Sequence, residues 1–235
     1  MLPFRDINPS RNFPLATTAI IVVNTLVFLY MVSVLMTGGE HALLSLVNRA
    51  SVTPIEFTRH IDVPPATIHP IWVTIFTSMF MHGGPVHLLG NMLYLWIFGN
   101  NVEDIMGPFR YLVFYLLCGV VAALSQIYIS PDSRIPMLGA SGAIAGVLGA
   151  YLVRFPTAKV DTCLLLPFFF YIIRLPAIVV LAFWFLLQLV SGATGLLASQ
   201  HGGGTAWWAH IGGFLAGMLL VLVLTRRGQQ PTNRW

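Results

Sequence analysis

The chain has 235 residues, of which 57% are hydrophobic and only 9% are charged, and its formal net charge is +4. A soluble domain carries about 25% charged residues, so this composition excludes an ordinary soluble protein and indicates a polytopic membrane protein. The twelve basic residues are spread through loops and termini, unlike the clustered basic surface of a nucleic-acid-binding protein. We therefore expect a single membrane domain over residues 1–235, with the lipid bilayer as its surroundings and no nucleic-acid partner.

The apolar segments of the chain predict six transmembrane helices. Two further apolar stretches, 71–81 and 162–173, are too short to cross a hydrocarbon core about 30 Å thick, and we expect them to be re-entrant or interfacial. The predicted fold class is therefore all-α, a bundle of six transmembrane helices. These helices are expected at about 15–36, 85–101, 108–129, 141–154, 176–192 and 206–225.

The basic residues also predict the orientation of the bundle. If the N-terminus is inside, only Arg49, Arg59 and Arg134 fall in outer loops, and the other nine of the twelve basic residues fall on the cytoplasmic side. This distribution follows the positive-inside rule. Both termini are therefore expected in the cytoplasm, as short tails at about 1–14 and 226–235, and all seven histidines face the outer side.

Four polar residues are predicted to lie at one depth in the outer half of the membrane. At about 1.5 Å per residue from the cytoplasmic helix ends, Asn91 and Ser141 lie about 18 and 20 Å up, and His87 and His210 about 24 Å. The stretch PDSRIPMLGA (131–140) has two prolines and a glycine and should not be helical. Irregular backbone at that depth must be buried in protein or line a wet cavity. We therefore predict a water-filled pocket with Ser141 at its floor.

Small residues predict that the fourth and sixth helices touch. Two G-x-x-x-G pairs, at 142–146 and 213–217, allow close backbone approach in lipid and would bring Ser141 within reach of His210. A serine hydroxyl needs a base to become a nucleophile, and an imidazole titrates near neutral pH. The eight acidic residues fall in loops or at helix ends. The sequence thus predicts a Ser–His dyad whose imidazole is oriented by packing or by a neutral hydrogen bond.

An acyl-transfer site also needs hydrogen-bond donors for the developing oxyanion. Ser141 begins a helix, so its own backbone N–H is free. The Asn91 amide and a His87 ring nitrogen are four residues apart, on one helix face. Taken alone, a serine in a helix usually has a structural role, and an asparagine in a membrane helix usually holds two helices together. Because all four polar residues share one depth beside a broken backbone, a functional site is favoured.

Three separate stretches of the chain resemble one known family. The resemblance covers about residues 70–224 and includes the order and the spacing of the motifs. A glycine-flanked serine alone would be a weak signal, since α/β-hydrolases also use one. The stretches that resemble the rhomboid intramembrane serine proteases are HGGPVHLLGNMLYLWIFGNNVED (82–104), GASGAIAGVLGAY (139–151) and AHIGGFLAGM (209–218).

The resemblance assigns a role to each of the four polar residues. It implies that Ser141 is the nucleophile and His210 the general base, and that His87 and Asn91 form the oxyanion hole with the Ser141 N–H. It also implies six transmembrane helices, no cofactor and no metal. The implied partners are single-span transmembrane substrates, cut near the outer membrane face where the helix unwinds readily.

The chain departs from the family pattern at two positions. Many members carry Trp-Arg in the first outer loop, whereas Trp72 is followed here by Val73. Some members have a tyrosine four residues after the nucleophile, and here that position is Ala145. Another group must therefore support His210. The glycine-rich loop 198–209 is predicted to be either a movable cap over the pocket or a passive connector.

Two other functions fit parts of the sequence. An inactive relative would bind membrane proteins without cutting them, although such relatives usually lack the serine or the histidine. A metal or ion transporter would use His82, His87 and His210, but no carboxylate or cysteine accompanies them. A zinc protease is excluded because H-E-x-x-H is absent. The expected location is a prokaryotic plasma membrane, with an organelle membrane as the alternative.

Overall fold

The computed structural model describes residues 1–61, 63–165, 169–197 and 206–225, most of which are helical. Most of the predicted loop at 198–209 and the predicted tail at 226–235 lie outside these residues. The described residues form three strands, β1 (Leu2–Asp6), β2 (Lys159–Leu165) and β3 (Phe170–Pro176). The helices are α1 (Leu15–Ala50), α2 (Pro54–Arg59), α3 (Val73–Ser78), α4 (Pro85–Met106), α5 (Pro108–Ile129), α6 (Ser141–Arg154), α7 (Ala177–Leu197) and α8 (Trp207–Leu224).

The helix bounds follow local sequence signals closely. α5 and α6 have the bounds that were predicted, and the other long helices differ mainly at their ends. α1 continues to Ala50 across a break at Gly39, whose φ of 74° is a left-handed conformation that glycine adopts readily. α4 ends at Met106 and is followed by Gly107, with φ of 80°, and Pro108 begins α5. A glycine after one helix and a proline at the start of the next make this sharp junction.

The helices differ in whether they are long and apolar enough to cross a membrane. Among the described residues, four helices are long and apolar enough to cross a membrane, namely α1, α5, α7 and α8. α4 is long but carries polar side chains, and α6 has 14 residues, a length of about 21 Å. A mostly helical, polytopic membrane protein is thus confirmed. Six spans and two cytoplasmic termini stay predictions.

The prediction of an all-α fold was wrong in one region. β1, β2 and β3 form an antiparallel sheet in that order, so residues 162–165 and 170–173 lie in paired strands and the predicted N-terminal tail contains a strand. Val160 and Thr162 are both fully buried and flank Asp161. This two-residue alternation of β-branched side chains favours a strand. Apolar length alone cannot distinguish a short strand from an interfacial segment.

α6 and α8 are in direct backbone contact along their glycines. A methyl group placed on Gly213 would overlap the carbonyl oxygen of Gly142, and one on Gly217 would overlap that of Gly146. This confirms the predicted close packing of the two G-x-x-x-G pairs. Because α6 is buried from Ala143 to Tyr151, it forms the centre of the bundle and sets the position of its first residue, Ser141.

Carboxylates attach the N-terminal part of the chain to the bundle. The two oxygens of Glu103, at the end of α4, accept the backbone N–H groups of Ala16 and Thr17, each at 2.8 Å. These are free donors at the start of α1, where a negative charge also interacts well with the helix dipole. Asp6 of β1 accepts the Tyr151 hydroxyl at 2.9 Å. The sheet and α1 are therefore tied to α4 and α6.

Candidate active site

The predicted nucleophile and the predicted base lie within hydrogen-bond distance. The Oγ atom of Ser141 is 2.7 Å from Nε2 of His210. Ser141 is the first residue of α6, and His210 lies in the first turn of α8 with 7% of its surface exposed. The glycine contacts described above bring these two helix ends together. A hydroxyl that donates to a ring nitrogen at this distance can pass its proton to the imidazole.

The other side of the His210 ring is held by α7. Its Nδ1 is 2.8 Å from Oε1 of Gln188, which is 6% exposed. The rings of Trp184 and Trp207 lie 5.9 and 6.1 Å from the imidazole, centroid to centroid. These three residues support His210 where Ala145 cannot. Sequence reasoning missed Gln188, although a polar side chain in an apolar helix is costly enough to have pointed to it.

The predicted oxyanion donors border the same space as the serine. A Cβ atom on Gly139 would lie 3.0 Å from Nε2 of His87 and 3.7 Å from the Ser141 Oγ. Gly139 also has φ of 132°, which strongly favours glycine. The Nδ2 group of Asn91 is buried and has no hydrogen-bond partner within the described part of the chain. A buried donor without an acceptor needs an explanation, and a ligand that supplies the acceptor is one.

A cavity of about 740 Å³ connects these side chains. It is much larger than the space a single water molecule needs. The stretch 131–140 forms part of its wall and is not helical, as its prolines and glycine predicted. The four residues singled out in the sequence therefore meet at one cavity. Its polar lining includes Ser141, His210, His87, Asn91 and Gln188.

Gln126 of α5 fixes the start of α8. Its Oε1 accepts the backbone N–H groups of Trp208 and Ala209 at 3.2 and 3.3 Å. The first N–H groups of a helix have no partner within the helix, so a side-chain acceptor satisfies them. This contact holds the turn that carries His210. No local sequence pattern indicates this contact, because α5 and α8 are far apart along the chain.

The histidines singled out as possible metal ligands form a pair and not a cluster. His82 is 1% exposed, and its ring centroid is 5.1 Å from that of His87. Within the described ranges, no group of three or more histidine, cysteine, aspartate or glutamate side chains could hold a metal ion. The arrangement around Ser141 is therefore better suited to proton transfer and oxyanion binding than to metal coordination.

Comparison with known proteins adds an independent finding. A family model described as the Rhomboid domain matches residues 69–227. The chain is 41% identical over 81 residues to Rhomboid protease GluP of Bacillus subtilis, a match that covers 34% of the chain and 15% of that protein.

Two further relatives match over longer stretches. Rhomboid protein 1, mitochondrial, of Saccharomyces cerevisiae is 28% identical over 174 residues, covering 69% of the chain and 47% of that protein. RHOMBOID-like protein 6, mitochondrial, of Arabidopsis thaliana is 31% identical over 166 residues, covering 68% of the chain and 45% of that protein. The matches thus span less than half the length of each of these three relatives.

Proposed function

Because the chain belongs to the rhomboid family, we propose that it is a serine endopeptidase that cuts transmembrane proteins near the outer membrane face. The observation that carries this proposal is the 2.7 Å contact between the Ser141 Oγ and the His210 Nε2 at the edge of a large cavity. In this proposal the cavity is filled with water, α1 and α4 to α8 are the six spans, and both termini are cytoplasmic.

The first half of the reaction forms an acyl-enzyme. His210 takes the proton of the Ser141 hydroxyl as Oγ attacks the substrate carbonyl carbon, and the carbonyl oxygen becomes an oxyanion. The Ser141 backbone N–H, the His87 ring and the unpartnered Asn91 amide donate to that oxyanion. The imidazolium then gives its proton to the leaving amine as the C–N bond breaks.

The second half of the reaction needs water. A water molecule from the cavity gives its proton to His210 and attacks the acyl carbon, and Ser141 recovers its proton when the ester bond breaks. A helical peptide bond is occupied by its own hydrogen bonds, so the substrate must unwind locally before it reaches Ser141. We therefore expect single-span substrates with small or helix-destabilising residues near the cut.

The proposed location of this integral membrane protein is a prokaryotic plasma membrane. The distribution of basic residues, nine on the predicted inner side out of twelve in all, fits a protein sorted by the positive-inside rule. Two of the relatives described above are named mitochondrial, so an organelle membrane is the alternative. Fractionation of the source cells, followed by immunodetection of the protein, distinguishes the two locations.

The test is cleavage of a single-span model substrate by the full chain in liposomes. We expect cleavage by the wild type with or without a chelator, and none by Ser141→Ala or His210→Ala. Ser33→Ala and His41→Ala are matched controls, since both side chains are exposed on α1. If the wild type cuts none of several substrates with small residues near the outer edge, the chain is a binding protein without protease activity.

A further inference from the structure

We infer that Gln188 is a positioning residue that sets the tautomer of His210, so that Ser141, His210 and Gln188 work as a Ser–His–Gln triad. This inference rests on the proposed function of the Ser141–His210 pair. It adds a residue from α7 to the Ser141–His210 pair, which α6 and α8 carry. The side-chain amide of Gln188 has two ends that differ in hydrogen bonding.

The amide of Gln188 is oriented by its own helix. Its Nε2 group donates to the backbone carbonyl of Trp184, one turn earlier, at 3.3 Å. A carbonyl oxygen only accepts hydrogen bonds, so the amino end of the side chain must face it. The carbonyl end, Oε1, therefore faces Nδ1 of His210 at 2.8 Å.

This orientation determines which ring nitrogen carries the proton. An amide oxygen only accepts, so Nδ1 of His210 must be the protonated nitrogen in the contact with Gln188. In a neutral imidazole the other nitrogen is then unprotonated. That nitrogen is Nε2, which lies 2.7 Å from the Ser141 Oγ. The base is thus prepared to receive the proton of the serine.

A neutral acceptor suits the depth of this site. Gln188 is 6% exposed and His210 is 7% exposed, and a buried carboxylate is costly unless it is fully paired. A glutamine provides the same acceptor geometry without burying a charge. Trp184 and Trp207 contact the ring but leave the choice of tautomer to the hydrogen bond. When the imidazole becomes charged during the reaction, Nδ1–H still donates to Gln188.

The competing explanation is that Gln188 only fills space between α7 and α8. The two explanations differ for a methionine, which has nearly the shape of glutamine but lacks the carbonyl acceptor. If Gln188 only fills space, Gln188→Met keeps both activity and tautomer. If it positions His210, Gln188→Met loses the acceptor, whereas Gln188→Glu retains one and should restore much of the activity.

The test combines kinetics with the nitrogen NMR spectrum of the full chain in detergent. Labelled histidine gives separate signals for protonated and unprotonated ring nitrogens, and the His210 signals are those missing in His210→Ala. We expect Nδ1-protonated His210 in the wild type and a mixture of tautomers in Gln188→Met. We also expect kcat to fall about tenfold in Gln188→Met with KM unchanged, as for the loss of one buried hydrogen bond.

The possible outcomes distinguish a failure of the proposed function from a failure of the positioning role of Gln188. A wild type whose Ser141 neither cuts substrate nor reacts with a fluorophosphonate would remove the proposed function, whatever the spectrum shows. An active wild type, with the same His210 signals and the same kcat in Gln188→Met, would overturn the positioning role. A loss of activity in Gln188→Met that Gln188→Glu does not restore, with unchanged His210 signals, would also overturn it.

Discussion

The two ends of α4 carry buried polar side chains in opposite states. Near its start, the Nδ2 group of Asn91 is buried and has no partner among the described residues. Near its end, both oxygens of Glu103 are bound by backbone N–H groups of α1. A buried donor without an acceptor costs about 1–3 kcal/mol, whereas a charged hydrogen bond contributes about 1.5–3 kcal/mol. The unpaired Asn91 donor therefore lowers the stability of the folded protein, whereas the Glu103 hydrogen bonds raise it.

This difference separates the residues that serve a ligand from those that hold the fold. A donor kept unpaired beside a cavity is useful when a substrate supplies the acceptor, which is what an oxyanion does. A carboxylate whose two oxygens both accept backbone N–H groups is engaged in holding the fold. Changes at the two ends should therefore affect different measurements, activity at the Asn91 end and stability at the Glu103 end.

The largest effect is expected at the backbone contact between α6 and α8. Gly217→Ala places a methyl group against the backbone carbonyl of Gly146. This carbonyl cannot rotate away as a flexible side chain could. We expect a loss of about 3 kcal/mol or more in the free energy of unfolding, and reduced cleavage because His210 moves away from Ser141. Thermal unfolding in detergent and the cleavage assay measure the two effects.

Gly195→Ala is the matched control for this change. Gly195 lies near the end of α7, and a methyl group there would meet its nearest neighbour, the Trp207 ring, at 3.9 Å, which is ordinary contact. Its stability and activity should stay close to those of the wild type. Equal stability of Gly217→Ala and Gly195→Ala would contradict the close approach of α6 and α8.

The next effect should be confined to activity. Asn91→Ala removes a donor that the folded protein leaves unpaired, so we expect turnover to fall about 100- to 1,000-fold without any loss of stability. Asn100→Ala, at the other end of α4, is the control, because the Asn100 side chain accepts the neighbouring N–H of Asn101. Cleavage rates at saturating substrate measure the difference. Turnover of Asn91→Ala equal to that of the Asn100→Ala control would remove Asn91 from the proposed oxyanion hole.

A third change should affect stability alone. Glu103→Ala leaves the N–H groups of Ala16 and Thr17 without their acceptor and removes a negative charge from the start of α1. We expect the free energy of unfolding to fall by about 2–4 kcal/mol, with unchanged cleavage per folded molecule. Glu40→Ala is the control, since Glu40 is exposed. If Glu103→Ala lowered turnover in fully folded protein, the two ends of α4 would not be independent.

Local patterns predicted the helical frame and the reacting residues well. The apolar runs predicted the bounds of α5 and α6. The glycine spacing predicted the contact between α6 and α8 that brings Ser141 to His210. Polar side chains in apolar helices are expensive, so His87 and Asn91 were conspicuous. The same logic applies to Gln188, a polar side chain in the apolar helix α7 that lies outside the three recognised motifs.

The sheet could not be predicted in the same way. β1 is a strand because it pairs with β2, where Arg5 lies opposite Asp161, more than 150 residues further along the chain. Short strands depend on such partners more than on their own propensity. The contact between Gln126 and the start of α8 has the same character. Both features depend on residues far apart along the chain, and a local sequence pattern does not identify such partners.

The smallest effect concerns the sheet and depends on pH. Burial raises the pKa of Asp6 to about 6, against the lowering effects of the Tyr151 hydrogen bond and the Arg5 charge. The folded state therefore holds the proton more tightly than the unfolded chain, whose carboxyl titrates near 3.8. The stability that this proton contributes is complete below about pH 4 and is lost as the pH rises through about 6.

Asp6→Asn should remove this pH dependence, because its amide oxygen still accepts the Tyr151 hydroxyl but carries no charge. We expect the variant to be more stable than the wild type at pH 7.5, on the order of 1 kcal/mol, and the difference to vanish near pH 4. Asp132→Asn is the control. The Asp132 carboxyl is exposed, and its pKa is lowered by the hydrogen bond from Arg59, so its replacement should not stabilise the protein at pH 7.5. Thermal unfolding of the three proteins between pH 4 and pH 8 decides the matter, and a wild type that gains stability relative to Asp6→Asn as the pH rises would show that Asp6 is held in its charged form.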